Sequence, residues 1–119
     1  MSTSKTGYGA AKMPGLGAHL MASGFYTATL GGAVTMHAGW QNFAKLDPGG
    51  AHRDVTLPAE EGNSGMWFLI LNTADAAENL VVKDDAAATI VTISQNEAAI
   101  VTCDGSSWEH MGIITIALS

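Results

Sequence analysis

The groups in this chain able to do chemistry are two adjacent carboxylate pairs, four histidines and a single cysteine. Glu60 and Glu61 would point in opposite directions on extended backbone, and Asp84-Asp85 falls at a turn. Neither pair supplies the alternating oxygen ligands and closing glutamate of an EF-hand loop, so both read as solvated turn carboxylates. His19, His37, His52 and His110 show no His-x-His or His-x-x-x-His spacing, and only folding or symmetry would gather them around a metal. Cys103 has no histidine within a few residues, although His110 could approach it across a final hairpin. A nucleophilic cysteine also needs a lowered pKa and an oxyanion site, and its place at the end of an apolar strand favours a buried thiol. Gly31-Gly32 and Asp47-Pro48-Gly49-Gly50 lack the spacing and the Gly-Lys-Ser/Thr end of a phosphate loop. The residues therefore give no catalytic, metal or cofactor constellation, and the chain reads as non-enzymatic.

Aromatic side chains offer a different chemistry. An exposed Trp40 or Trp108 could stack against a sugar ring, which makes glycan binding the competing reading. Trp67 and Phe68 sit inside the strongest apolar segment and alternate in direction. One is expected to pack between the layers and the other against a neighbouring layer or subunit.

Composition limits what these side chains can serve. At 119 residues the chain has room for one domain, and it carries five Lys and Arg against eleven Asp and Glu, for a formal net charge of -6. Its basic residues, Lys5, Lys12, Lys45, Arg53 and Lys83, are scattered singly, whereas nucleic-acid binding needs clustered positive charge to displace counterions. No apolar run reaches the ~20 residues of a membrane span, and the N-terminus lacks the pattern of a signal peptide. Synthesis in the cytoplasm is expected. Charged residues make up 13% of the chain against about 25% for typical globular domains, which suits extensive protein contact. A lone cysteine cannot staple a small core, so oligomerisation is the natural source of further burial.

The elements that would position these groups are short strands. Residues 1–24 read as an extended arm, polar and glycine-rich at first and punctuated by Met13-Pro14-Gly15-Leu16-Gly17. Phe25 to Leu30, Val34 to His37 and Phe43 to Leu46 have strand composition, and Asp47-Pro48-Gly49-Gly50 is a strong turn. Val55-Thr56-Leu57, Met66 to Leu71 and Leu80 to Lys83 continue the series; the loop from Asn72 to Asn79 has room for a helical turn capped by Thr73. Thr89 to Ile93 alternates with period two, placing Val91 and Ile93 on one side and Ile90 and Thr92 on the other. Ala99 to Thr102 and Trp108 to Ile114 pair most simply about Asp104-Gly105-Ser106-Ser107. The expected fold is all-β, a small antiparallel sandwich or barrel over residues 25–119 with the extended N-terminal arm. Trp67, Phe68, Ile70, Trp108 and Ile113 are the expected core or subunit-packing residues.

Leu46-Asp47-Pro48-Gly49-Gly50, Val55-Thr56-Leu57-Pro58, Gly65 to Asn72, Asn79 to Asp84 and Cys103 to Trp108 occur in an order that resembles a small β-module of tailed-bacteriophage structural proteins. Such modules occur in head-decoration proteins and in segments of tail fibres, and the resemblance covers residues 46–114. It implies a non-enzymatic virion protein, often a homotrimer, with no cofactor. One short module without a fibre shaft favours a decoration, or cement, protein on the outer surface of the head, with the major capsid protein as partner. Tyr8, Met13, Leu16 and Leu20 are then the expected capsid-contacting anchors of the arm. The alternative is a tail-fibre or baseplate tip that touches a host-surface glycan.

Overall fold

The computed structural model describes residues 24–117. The arm assigned to residues 1–24, with its anchors Tyr8, Met13, Leu16 and Leu20, falls outside these residues except for Gly24. Among the described residues there are nine strands and no helix. In chain order they are β1 (Phe25–Thr29), β2 (Val34–Thr35), β3 (Phe43–Asp47), β4 (Arg53–Thr56), β5 (Trp67–Asn72), β6 (Leu80–Lys83), β7 (Thr89–Ile93), β8 (Glu97–Cys103) and β9 (Trp108–Thr115). A five-stranded sheet has the order β9-β8-β5-β3-β1 and a four-stranded sheet the order β2-β4-β6-β7.

The first six strands alternate between the two sheets, so the chain winds as a flattened coil. Within it β1, β3 and β5 lie parallel in one sheet, as β2, β4 and β6 do in the other. Then β7 folds back antiparallel on β6, β8 runs antiparallel to β5, and β9 forms a hairpin with β8. This corrects the expectation of an antiparallel fold, since both sheets are mixed. Parallel neighbours need a long crossover between them, and here each crossover contains a strand of the opposite sheet. Alternation along the chain marks a strand without naming its neighbour, so the corners of the coil look locally like hairpin turns.

Corner chemistry makes this winding possible. After β3, the Asp47 carboxylate accepts the Gly49 N–H at 2.9 Å, while Arg53 Nε donates to the Pro48 carbonyl at 2.7 Å. Gly49 has φ +73°, and a Cβ added there would be driven into the Leu30 carbonyl oxygen. After β5, buried Asn72 stands in for missing backbone partners. Its Nδ2 donates to the carbonyls of Glu78 and Ile93 at 2.8 and 2.9 Å, and its Oδ1 accepts the Ala74 N–H at 2.9 Å. That side-chain turn occupies the place where a helical turn was expected.

The core lies between the sheets. Strand β5 alternates along its length, with Phe68, Ile70 and Asn72 buried and Trp67, Leu69 and Leu71 half-buried on the outer side. Leu46, Val55, Leu80, Val82, Ile93 and Val101 complete the interior from both sheets. Trp108 is buried at the start of β9, where its indole N–H donates to the Pro58 carbonyl at 2.8 Å and its ring stacks on Phe68. Burying a side chain such as Phe68 contributes about 1.5–3 kcal/mol. Ile113 lies outside this core and is exposed.

Candidate functional site

The two sheets present very different outer faces. On the four-stranded sheet the register aligns Thr35 with Thr56, Thr56 with Lys83, and Asp54 with Val81 and Thr92. Lys83 Nζ and Asp54 Oδ2 pair there at 3.1 Å. Hydroxyl and charged groups dominate, as on a solvated β-surface.

The outer face of the five-stranded sheet has an apolar centre, with Thr27, Thr29, Asp47, Thr102 and Glu109 toward its margins. One row crosses four strands through Phe25, Phe43, Leu69 and Ile100, and the next carries Thr27, Lys45, Leu71, Ala98 and Ile114. Phe25 and Phe43 pack with ring centroids 5.0 Å apart, and Trp67 meets Phe43 edge-on at 5.7 Å. Lys45, the cation of this row, lays its ammonium 5.1 Å from the Phe25 ring centroid. The same face runs into edge strand β9, where Trp108 is buried and the other seven residues are exposed. A bulge lies between His110 and Ile113, with Gly112 at φ +103° and Met111 72% exposed; Ile114 shares the outer face with Ala98, while Ile113 pairs with Ala99 on the opposite side. Of Trp67 and Phe68, Phe68 packs inside and Trp67 belongs to this outer face.

A second feature is a groove of about 480 Å³ at the end of the fold formed by the loops before β3 and β5. Its walls include Trp40, Asn42, Asn63, Ser64, Met66 and Trp67. Trp40 stacks on Tyr26 at 3.8 Å and meets His37 edge-on at 6.1 Å. Trp108 is not available as an exposed sugar platform because its ring lies in the core.

The expected turn carboxylates lock backbone. Asp84 Oδ1 accepts the N–H groups of Ala86 and Ala88, each at 2.9 Å. Asp104 Oδ1 accepts those of Ser106 and Ser107, each at 2.8 Å, and these two bonds, in that order, hold its carboxyl below the usual carboxylate value. The Cys103 thiol is buried, with the Glu60 carbonyl 3.7 Å away and the Gly105 N–H donating to it at 3.4 Å. His110 pairs across from Val101 on exposed β9, and its Nδ1 accepts the Gly112 N–H. His52 Nδ1 accepts the Asn79 N–H at 2.9 Å, so these histidines serve local backbone.

The winding also gathers Asp47, Asp75 and Glu78, whose carboxylate oxygens lie within 4.8 Å of one another. Sequence spacing gives no sign of this trio, because Asp47 ends β3 while the other two lie in the loop beyond β5. The parallel pairing of Leu46 with Asn72 is what joins them. Hard cations such as calcium take six to eight oxygens, and two of these carboxylates already accept the N–H groups of Gly49 and Gly50. Neither a family model nor a curated protein matches the chain.

Proposed function

We propose that the protein is a non-enzymatic virion component, a decoration protein that binds the outside of a bacteriophage head and stabilises the expanded shell. The observation that supports this reading is the contrast between the outer faces: Thr35, Thr56, Lys83 and Asp54 lie across one, while Phe25, Phe43, Leu69, Leu71 and Ile100 form the centre of the other. An apolar face beside a solvated one is what a subunit needs when neighbouring protein completes its burial. The order of motifs from Leu46 to Trp108 points to the same class of protein.

In this proposal the apolar rows close against copies of the chain in a homotrimer. The arm over residues 1–24 contacts the major capsid protein through Tyr8, Met13, Leu16 and Leu20. Three arms held on one trimer bind with a high effective concentration, so weak single contacts become a stable attachment. Because the trimer binds the assembled shell better than its loosened form, it stabilises the shell by linkage. No cofactor, nucleic acid or membrane enters this role, and its acidic balance suits the outer surface.

The test is imaging of purified particles carrying a label on this chain. Labelled density at regular positions between capsomers on the head is the expected outcome. Label confined to the tail tip, or no association with particles, would remove the proposal. Removing residues 1–24 should abolish head binding; retention at wild-type occupancy would remove the arm from it.

A further inference from the structure

The groove at the loop end lies beyond the central apolar rows and needs no shell to act. Three properties define what would bind in it. First, among the described residues its lining contains no charged side chain. A charged ligand would lose its hydration there without gaining a counter-charge.

Second, two indoles flank the groove and both are held in place. Trp40 is clamped by its stack on Tyr26 at 3.8 Å, and Trp67 is braced edge-on by Phe43 at 5.7 Å. The facing wall is also fixed by backbone. Asn63 Nδ2 donates to the Ala59 carbonyl at 2.6 Å, the Met66 N–H donates to the Asn63 carbonyl at 3.0 Å, and the Gly65 N–H donates to the Cys103 carbonyl at 2.8 Å. Such a site binds without the cost of ordering its own walls.

Third, the groove holds polar atoms with no partner among the described residues. Asn42 is 8% exposed. Its Nδ2 donates to the Trp67 carbonyl at 2.7 Å and its backbone carbonyl accepts the Leu69 N–H at 2.8 Å. Its Oδ1 accepts no hydrogen bond from a described residue, which is costly for a buried amide. The Ser64 hydroxyl and the indole N–H groups of Trp40 and Trp67 are likewise without described partners.

Flat apolar platforms, neutral walls, and donors and acceptors without partners among the described residues together match a molecule with a C–H face and a rim of hydroxyls. We infer that this groove binds a neutral pyranose saccharide, with Trp40 and Trp67 as stacking platforms and Asn42 Oδ1 and the Ser64 hydroxyl as polar contacts. A volume of about 480 Å³ is in the range of small-ligand sites. Free sugars should bind weakly, and display of several copies on one assembly would turn this into adhesion by multivalency.

The experiment is an NMR titration of the full ¹⁵N-labelled chain with the methyl glycosides of glucose, galactose, mannose and N-acetylglucosamine. With at least one of these, the indole N–H signals of Trp40 and Trp67 and the Ser64 amide should shift saturably. The buried Trp108 indole should stay fixed and reports that the fold is intact. Trp67→Ala and Ser64→Ala should each weaken binding, the tryptophan change by about tenfold, with the Trp108 signal unmoved. The inference is overturned by no saturable shift with any of the four, by shifts centred elsewhere, or by unchanged affinity in both variants. Tighter binding of glucose 6-phosphate than of methyl glucoside would contradict the neutral class.

Discussion

Asn72 has no exposure to solvent and satisfies three backbone groups, the carbonyls of Glu78 and Ile93 and the N–H of Ala74. Asn72→Ala would orphan all three in a buried corner, and each such group costs about 1–3 kcal/mol. A loss of about 3 kcal/mol or more in urea unfolding is expected. Gly49→Ala should also destabilise, by about 1–3 kcal/mol, because left-handed backbone and the Leu30 carbonyl both oppose a Cβ. Asp104 makes a different prediction. Its carboxyl titrates below the ordinary value of 3.8 because the Ser106 and Ser107 N–H groups favour the charged form. Its contribution to stability is therefore complete above the ordinary value and fades as pH falls through the lower folded one. Asp104→Asn should be less stable than wild type at neutral pH, with the gap closing in strong acid; a constant gap would contradict this. At this scale the turn roles of Asp84 and the burial of Cys103 were legible from their neighbours in sequence. The role of Asn72 was not, because its partners come from the loop that follows it and from Ile93 at the end of β7.

Strand positions were legible from apolar and β-branched segments between turns, with alternation clearest in Thr89 to Ile93 and an almost continuous apolar run in what became β5. The β8–β9 hairpin was legible too, but the parallel partners were not, since Phe43 lies beside Phe25 and Leu69 across long stretches of chain. The same separation hid the trio of Asp47, Asp75 and Glu78. Trp67 and Phe68 show what alternation does deliver: two neighbours on opposite faces, without a sign of which is inside. Phe68 and Leu69 now make a paired prediction. Phe68→Ala removes a fully buried ring and should cost about 3–5 kcal/mol in chemical denaturation. Leu69→Ser, one residue away on the outer face, should change the stability of the isolated chain by about 1 kcal/mol or less.

In the proposed role, stability and association of the whole molecule fall to opposite sides of the five-stranded sheet. Its inner side joins the core of a single chain, while Phe25, Phe43, Leu69, Leu71 and Ile100 await a protein neighbour in the proposed role. Low charge density in the sequence suits extensive contact without saying where, and only the register gathers those residues into rows. The most direct test is co-sedimentation of wild type and a Leu69→Asp/Ile100→Asp double variant with phage heads, alongside the solution mass and circular dichroism of both. Wild type should pellet with the heads, whereas the variant should keep its β-sheet signal, remain at the 12.3 kDa mass of one chain, and stay in the supernatant. A folded variant that coats the heads as fully as wild type would contradict the assignment of this face.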